Sequence, residues 1–350
     1  MGINIHSLVI SPAILTLIAE IDEFKGTWRA IGQLAPERLR LLKKVATIES
    51  IGSSTRIEGS KLSDQEVEEL LSKLSAKSFA SRDEEEVAGY SRVIETVFHN
   101  HDIIPVSENY IQQLHSELLE FSQKDAWHKG GYKKSPNHVE AFDPEGRSLG
   151  IVFETASPFD TPLRMRHLIG WTNERLNDRS LHPLLVISVF IVEFLAIHPF
   201  QDGNGRLSRV LTTFLLLKTG YVYAPYSSLE AVIEESKESY YLALRQTQAT
   251  LKRDDPNWQP WTLFFLRSLK KQKDRLQAKV DREKILIANL PELGLQILDL
   301  ARSLGRITVR EIVSLTGANR NTIKKQLERL VLQNHLKQNG EGKGTWYSII

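Results

Sequence analysis

Residues 198–209 read His-Pro-Phe-Gln-Asp-Gly-Asn-Gly-Arg-Leu-Ser-Arg, and they join a strongly apolar run to an amphipathic one. The apolar run, Leu184–Ile197, predicts a buried helix that ends near His198, because a residue before proline is disfavoured in the α conformation. After the stretch, apolar side chains recur with helical spacing at Leu207, Val210, Leu211, Phe214 and Leu215. The sequence therefore predicts a tight loop between two core helices.

The loop in this stretch has the features of an anion-binding site. Gly203-Asn204-Gly205 allows a sharp turn that aims several backbone N–H groups at one point, and the N-terminus of the following helix adds a favourable dipole. Arg206 and Arg209 lie in the first turn of that helix, where a positive charge costs about 0.3–1 kcal/mol. A placement that costs stability indicates a multiply charged anion nearby, such as a polyphosphate. Asp202 could hold Mg²⁺ between phosphate oxygens, and His198 could accept a proton from an attacking hydroxyl.

Most of the remaining sequence shows helical periodicity. The predicted helices cover residues 36–51, 63–74, 84–100, 107–121, 163–176 and 236–251. Residues 137–155 differ, because apolar side chains flank Asp143-Pro144-Glu145-Gly146, a tetrapeptide that suits a type I turn. This segment predicts a β-hairpin in an otherwise helical body, so the predicted fold class is mainly α.

Residues 198–209 resemble the signature of the Fic family, His-Pro-Phe-x-Asp/Glu-Gly-Asn-Gly-Arg-x-x-Arg, and match it at every fixed position. The hairpin at 137–155 stands where that family has its flap. Tyr240-Tyr241-Leu242-Ala243-Leu244 is similar to a family segment downstream of the motif. The resemblance covers residues 84–269, and it implies a Fic-type helical bundle with a β-hairpin flap.

Most Fic proteins transfer AMP from ATP to a hydroxyl side chain of a target protein. The resemblance makes His198 the base that activates the target hydroxyl and Asp202 the Mg²⁺ ligand. It puts the glycine-rich turn 203–205 on the α- and β-phosphates and the two motif arginines on the β- and γ-phosphates. The implied ATP site comprises Glu58, His198, Gly203, Asn204, Gly205, Arg206, Leu207, Ser208, Arg209 and Tyr240. Tyr240 would lie near the ribose or the base, although a packed core aromatic is an equally good interpretation.

The flap suggests how a target protein would dock. An exposed hairpin edge can pair with an extended segment through backbone hydrogen bonds, largely independent of the sequence of that segment. Just before the hairpin, Tyr132-Lys133 stands where the family commonly has an aromatic–Arg pair. Lysine keeps the positive charge but loses the planar guanidinium, so the sequence does not decide which contact the side chain makes at this position.

Ser54-Thr55-Arg56-Ile57-Glu58-Gly59 resembles the inhibitory motif of the same family, Ser/Thr-x-x-x-Glu-Gly/Asn. Ser54 and Glu58 are four residues apart, on one face of a helical turn, and Gly59 suits a position just past a helix C-terminus. The resemblance implies that Glu58 pairs with Arg209 and denies that arginine to the γ-phosphate. The alternative interpretation is a solvated surface glutamate at the end of a helix.

The last 56 residues have a different character. Residues 295–350 hold nine lysines and arginines against four acids, a charge of +5, whereas the first 294 residues carry −3. Three predicted helices, 295–301, 308–315 and 319–333, precede two strands around a glycine-rich tip, which resembles a winged helix. Arg320, Lys324 and Lys325 are placed to contact DNA, but such modules also pack against proteins, and both possibilities stay open.

The composition excludes several classes of protein. Hydrophobic residues make up 41% and charged residues 25% of the 350 residues, which is typical of a soluble globular protein. Because there is no cysteine, disulfides and thiolate chemistry are excluded. No basic segment precedes the apolar residues near the start, and the longest apolar run is shorter than the roughly 20 residues of a membrane span. We expect a cytoplasmic protein without a membrane segment.

The sequence predicts an N-terminal helical region with the inhibitory motif (1–83), a catalytic core (84–269), a linker helix (270–294) and a winged-helix domain (295–350). The predicted function is a Mg²⁺-dependent protein adenylyltransferase that is self-inhibited by Glu58. Two alternatives stay open: an enzyme of the same fold that removes AMP from modified proteins, and a transcription regulator that senses nucleotide. A homodimer is also compatible with the sequence.

Overall fold

A computed structural model describes residues 3–30, 36–73, 79–142, 148–288 and 290–350. In this part of the chain the structure is mainly helical, with two small antiparallel sheets of two strands each. The chain divides into two compact units: the first comprises Met1–Gln33 and Leu42–Asp274, the second Leu34–Leu41 and Arg275–Ile350. The first unit thus takes in nearly all of both the region 1–83 and the core 84–269 that the sequence distinguishes.

Several helices of the first unit begin at a polar cap. The helices are α1 (Pro12–Ala30), α2 (Pro36–Ile57, from Leu42 onward in this unit), α3 (Asp64–Ser72), α4 (Arg82–Asn100), α5 (Glu108–Leu118), α6 (Thr161–Asp178), α7 (Pro183–Ile197), α8 (Asn204–Lys218), α9 (Leu229–Glu235), α10 (Lys237–Gln248) and the first part of α11 (Gln259–Ala288). Ser63 and Glu66 form a capping box at the start of α3, which the sequence predicts as a helix over 63–74. Ser81 and Ser107 cap α4 and α5 in the same way, by accepting a backbone N–H of the first turn.

The core of the first unit is built around α7 and α8. Every residue of α7 from Leu184 onward is buried, and α7 packs between α6 and α8. On α8, Asn204 and Arg206–Leu217 are also buried, and α4 packs against both α5 and α8. A side chain on Gly89 of α4 would overlap the carbonyl oxygen of Leu118, so α4 and α5 approach closely at that point. The short loop between α7 and α8 is therefore held at both ends by buried helices.

The predicted hairpin is present. Strands β1 (Val139–Phe142) and β2 (Ser148–Phe153) pair antiparallel, with Glu140 opposite Ile151 and Ala141 opposite Gly150. The predicted turn Asp143-Pro144-Glu145-Gly146 lies outside the described residues. The hairpin begins and ends beside the loop that follows α7, because Lys133 N–H donates to Pro199 O (2.8 Å) and Ala156 N–H donates to Ala196 O (3.3 Å).

The described residues of the second unit form three further helices and two strands, as the sequence predicts. They are α12 (Glu292–Leu304), α13 (Val309–Thr316), α14 (Arg320–Leu332), β3 (Leu336–Asn339) and β4 (Trp346–Ile349). A capping box of Thr308 and Glu311 starts α13, and Gly317 ends it in the left-handed conformation. Their apolar faces form one core that includes Ile297, Ile312, Ile323, Leu327 and Leu336. The charged run 270–284, predicted as a linker, lies inside α11, where Leu276 and Val280 are fully buried.

Among the described residues, no helix combines the length and the hydropathy that a bilayer crossing requires.

Candidate active site

A cavity of about 940 Å³ opens where the loop after α7 meets the start of α8. The walls come from five places in the first unit: the C-terminal end of α2, the start of α4, the base of the hairpin, the loop itself and one face of α10. The lining residues that the chemistry below uses are Glu58, Arg82, Glu86, Asn137, His198, Asp202, Gly203, Asn204, Gly205, Arg206, Tyr240 and Tyr241. The structure thus brings together the 198–209 stretch and the inhibitory segment (Ser54–Gly59), which are about 150 residues apart.

His198 is the C-cap of α7 and adopts a left-handed backbone conformation, with φ of 52°. Its Nδ1 lies 3.3 Å from Leu195 O, and because a carbonyl only accepts, Nδ1 carries the proton and Nε2 is left as an acceptor. Burial, helped by nearby Lys133 and opposed by the Leu195 contact, lowers the pKa of His198 to about 4. Near neutral pH the imidazole is therefore uncharged and able to take a proton at Nε2.

The side chain of Asn204 closes the loop between α7 and α8 through hydrogen bonds to the backbone of Phe200. Asn204 Oδ1 accepts from Phe200 N–H (2.9 Å) and Asn204 Nδ2 donates to Phe200 O (2.7 Å). The Asn204 side chain is thereby occupied, so any phosphate contact made by the turn comes from its backbone. Gly203, with φ of 77°, precedes α8 as its N-cap, in a conformation that favours glycine.

His115 of α5 holds the same loop through its ring, by hydrogen bonds and by stacking. Gly130 N–H donates to His115 Nδ1 (2.9 Å), so Nε2 carries the proton and donates to Asp202 O (3.0 Å). The ring also stacks on Phe200, with centroids 3.8 Å apart. Burial lowers the pKa of His115 to about 4, which keeps this neutral tautomer in place near pH 7.

Both motif arginines are buried on the first two turns of α8. Arg206 Nη1 lies 3.2 Å from Glu86 Oε2, and its Nη2 lies 3.6 Å from Asp202 Oδ2. Among the described residues, Arg206 Nε and Arg209 Nη1 have no hydrogen-bond partner although they are buried. Buried guanidinium N–H groups without an acceptor are costly, and a bound anion would satisfy them.

Arg209 is held by the inhibitory segment. Its Nε donates to Ser54 Oγ (2.8 Å), and its Nη2 donates to Ser54 O (2.9 Å) and to Glu58 Oε1 (2.8 Å). Burial opposes the charge on Arg209, but the Glu58 carboxylate together with Tyr240 and Tyr90 outweighs it, so the pKa of Arg209 is raised. The predicted pairing of Glu58 with Arg209 is thus present as a direct ion pair.

The Glu58 carboxylate also rests on the N-terminal end of α8. A Cβ on Gly205 would overlap Glu58 Oε1, so only glycine leaves room for the carboxylate here. Glu58 directly follows the last residue of α2, and Gly59 continues with φ of 112°. The carboxylate therefore occupies the position that a helix N-terminus offers to an anion.

Arg56 ties this end of α2 to its surroundings. Its Nε and Nη2 donate to the two carboxylate oxygens of Glu234 (2.7 and 3.0 Å), and its Nη1 donates to Asp64 Oδ1 and Leu62 O (both 2.9 Å). The last turn of α2 is thereby linked to α9 and to the start of α3. The motif pattern does not include this arginine as a fixed residue.

Asp202, the predicted Mg²⁺ ligand, lines the cavity beside Arg82 of α4 and Arg206 of α8. Its Oδ2 accepts from Arg82 Nη2 (2.8 Å), and its Oδ1 accepts from Gly203 N–H (2.6 Å). Burial opposes ionisation of Asp202, but Arg206, the Gly203 N–H and Arg82 outweigh it and lower its pKa. Among the described residues, no cluster of three or more metal-binding side chains exists. One ionised carboxylate at a phosphate site fits Mg²⁺, which commonly takes its other ligands from phosphate and water.

Three residues of the implied ATP site face the protein interior. Leu207 is fully buried, and Ser208 Oγ donates to Gly205 O (2.7 Å), so these two side chains serve α8 itself. Tyr240 borders the cavity but is only 3% exposed, and its ring packs edge-on against Trp261. Its neighbour Tyr241 is 38% exposed and lines the cavity more openly.

Several lining residues were missed from the sequence. Tyr241, Leu244 and Gln248 follow one another at helical spacing of three and four on α10, a pattern that could have identified this wall. Arg82 and Glu86 are an i, i+4 pair at the start of α4, but such pairs are common on helix surfaces. Only the contacts of Arg82 with Asp202 and of Glu86 with Arg206 reveal that they belong to the site.

The sequence and structure of this region are similar to those of known proteins. Residues 105–216 match a family model described as the Fic/DOC family. The chain is 28% identical to "Protein adenylyltransferase Fic" of Aedes aegypti over 188 residues, which are 52% of this chain and 34% of that protein. It is 29% identical to the protein of the same name from Drosophila persimilis over 208 residues, 58% of this chain and 38% of that one. The chain thus spans less than two fifths of the length of these relatives.

Two solved structures share the fold. A Fic domain containing signalling protein from Bacteroides thetaiotaomicron superposes with a TM-score of 0.60 and 25% identity, over 73% of this chain and 94% of that one. A Fic family protein from Desulfovibrio desulfuricans, 22% identical, has the same fold with a TM-score of 0.63 over 98% of this chain and 97% of that one. Residues 105–216, which match the Fic/DOC family model, include the 198–209 stretch in place between α7 and α8.

Proposed function

We propose that this protein transfers AMP from ATP to a Ser, Thr or Tyr hydroxyl of a target protein and is inhibited by its own Glu58. The observation that carries the proposal is the convergence, in one cavity, of a neutral histidine, an anion-binding helix N-terminus and two buried arginines. The relatives named protein adenylyltransferase support the same reaction, although the chain covers only part of their length. The target protein would dock on the hairpin 137–155.

The chemistry follows from the positions of the side chains. His198 Nε2 takes the proton of the target hydroxyl as the hydroxyl oxygen bonds to the α-phosphorus, and the bond from that phosphorus to the bridging oxygen of the β-phosphate breaks. Pyrophosphate leaves, and AMP stays on the target. Arg206 and the backbone N–H groups at the start of α8 stabilise negative charge on the phosphates, since oriented donors in a dry site need no reorganisation. Mg²⁺, held by Asp202, would neutralise further charge on the departing pyrophosphate.

Glu58 opposes this arrangement in two ways. Its carboxylate occupies the N-terminal end of α8 against Gly205, and it engages Arg209, which would otherwise bind the γ-phosphate. A polyphosphate that enters the cavity would meet a like charge and lack one of its two guanidinium partners. We therefore expect ATP to bind with its α-phosphate out of line with the target hydroxyl.

The test measures transfer of label from α-³²P-ATP to protein in a cell lysate, by wild type and by Glu58→Gly. We expect at least a tenfold gain for Glu58→Gly, because charge-assisted contacts contribute about 1.5–3 kcal/mol. Glu68→Gly is the control, since Glu68 pairs with Lys44 (2.6 Å) on the surface and does not line the cavity. An increase in both variants, or in neither while ATP still binds, would refute inhibition by Glu58.

The position of Glu58 also supports the alternative reaction. Its carboxylate shares the cavity with His198, so it could hold a water for hydrolysis of an AMP–protein bond. Incubation of an adenylylated target with wild type and with Glu58→Gly separates the two reactions. Release of AMP by wild type that is lost in Glu58→Gly would favour AMP removal over AMP transfer.

A further inference from the structure

The backbone around His198 is held by residues that no motif includes. Four consecutive carbonyl groups, from Ile197 to Phe200, each accept a hydrogen bond from the segment 133–137. Ile197 O accepts from Lys133 Nζ (3.0 Å), and Pro199 O accepts from Lys133 N–H (2.8 Å). His198 O and Phe200 O both accept from Asn137 Nδ2, at 3.2 and 2.5 Å.

These contacts are part of a closed cluster with the base of the hairpin. The Lys133 ammonium is 3% exposed and donates its three protons to Ile197 O, Asn137 Oδ1 (2.7 Å) and Thr155 Oγ1 (2.9 Å). Thr155 Oγ1 donates in turn to Asn137 Oδ1 (3.1 Å). We call Lys133, Asn137 and Thr155 the carbonyl clamp. Asn137 precedes β1 and Thr155 follows β2, so the clamp joins both ends of the hairpin to the backbone of His198.

We propose that Lys133 and Asn137 are positioning residues, which hold His198 in its left-handed conformation and place Nε2 between the hairpin and the nucleotide cavity. This inference rests on the proposed function, because it assigns His198 the role of base. A left-handed backbone at a residue other than glycine costs about 1–2 kcal/mol, so it needs external contacts to persist. The clamp provides them at His198 and at both of its neighbours.

The identity of residue 133 as lysine adds an electrostatic effect. Burial, helped by Arg164, lowers the pKa of Lys133 to about 8, so the ammonium is still charged near neutral pH. Its charge disfavours protonation of His198, whereas Glu58 and Asp202 favour it. Lys133 therefore helps to keep His198 neutral, in addition to placing it.

The first experiment needs no enzymatic activity. It follows the imidazole signal of His198 by NMR titration of the whole chain, assigned by its absence in His198→Gln. We expect Lys133→Met to raise the pKa of His198 by about 0.5–1 pH unit, the effect of removing a nearby like charge. Lys133→Arg should restore most of the original value, and Lys134→Met, the same change at the exposed neighbouring residue, should have no effect. An unchanged pKa in Lys133→Met would overturn the electrostatic part of the proposal.

The second experiment measures AMP transfer in the Glu58→Gly background. We expect Asn137→Ala and Thr155→Val to lower kcat at least tenfold with KM for ATP within about twofold, since a misplaced catalytic group can cost as much as 10²-fold. Thr155→Val keeps the side-chain shape but removes the hydroxyl, so it tests the carbonyl clamp even if Lys133→Met does not fold. Equal losses in kcat and ATP affinity would indicate a general structural role and overturn the positioning role. If Glu58→Gly itself transfers nothing, the proposed function fails, while the titration still decides whether Lys133 controls His198.

Discussion

At the scale of single residues, the site combines charges that each cost stability alone. Arg209 lies in the second turn of α8, not in the first as the sequence predicts, and burial disfavours its charge. Glu58 at the C-terminus of α2 opposes the local helix dipole, and the two charges compensate each other at 2.8 Å. Burial lowers the pKa of His198 below that of an exposed histidine, and this keeps its ring neutral. The sequence identifies these residues because two short motifs, 54–59 and 198–209, specify them at fixed positions.

The first prediction concerns His198. In the Glu58→Gly background, His198→Ala should lower AMP transfer about 10²–10⁴-fold, the usual cost of losing a general base, and leave ATP affinity nearly unchanged. Transfer is measured with labelled ATP, and affinity by calorimetry. His167→Ala, at an exposed position on α6, is the control. Transfer at near-parental rates by His198→Ala would mean that another group takes the proton.

The second prediction concerns Gly205. In wild type, Gly205→Ala should lower the free energy of unfolding by about 1 kcal/mol or more, because the new Cβ displaces Glu58 from Arg209. In the Glu58→Gly background the space is open, so the same change should be neutral or stabilising, since alanine favours a helix over glycine. Thermal unfolding of the four variants measures this coupling. Additive effects would show that the Glu58 carboxylate does not rest on Gly205.

At the scale of elements, the sequence predicts the helices better than the contacts between them. Capping boxes at Ser63 and Thr308 and the proline after His198 are local signals, and the elements begin and end where they indicate. The pairing of Arg82 with Asp202 joins residues 120 positions apart, and no local pattern encodes it. The carbonyl clamp is likewise invisible in the sequence, where Lys133 only marks a departure from the family pattern.

The third prediction concerns the packing of α4 on α5. Gly89→Ala should lower the free energy of unfolding by about 1–3 kcal/mol, the usual cost of overpacking, because the Cβ would overlap Leu118 O. Gly170→Ala on α6 is the matched control: its Cβ meets nothing within 4 Å, so we expect a gain of about 0.5–1 kcal/mol. Urea unfolding of both variants measures the difference. If the free energy of unfolding changed with the same sign in Gly89→Ala and in Gly170→Ala, the close approach of α4 and α5 would be contradicted.

At the scale of the whole molecule, the two compact units carry different charge. The cavity and the inhibitory segment lie entirely in the first unit. The second unit has its own apolar core and exposes Arg320, Lys324 and Lys325 on α14. The sequence separates residues 295–350 by their positive charge, whereas the second unit also takes in Leu34–Leu41 and begins its main part at Arg275. Charge alone does not distinguish a DNA-binding surface from a solvated one.

The fourth prediction tests whether the second unit binds DNA. If it does, changing Arg320, Lys324 and Lys325 to Glu should abolish binding by the full chain, and single changes should weaken its salt dependence. A gel-shift series over salt concentration measures both effects. The control changes Lys124, Lys129 and Lys134 to Glu, which alters the total charge equally at exposed positions of the first unit. No binding by wild type would exclude the DNA hypothesis, and unchanged binding would exclude α14 as the contact.

The place of Glu58 along α2 has a consequence for the resting protein. The ends of helices open locally at a much smaller free energy than the whole fold, and Glu58 directly follows the last residue of its helix. If Glu58 inhibits the protein as proposed, inhibition depends on the fraction of time for which this turn is closed, and the open fraction sets a basal rate of transfer. Each 1.4 kcal/mol or so by which the contacts of Arg56 favour the closed turn would lower that basal rate about tenfold. The basal rate would then report how often the last turn of α2 opens.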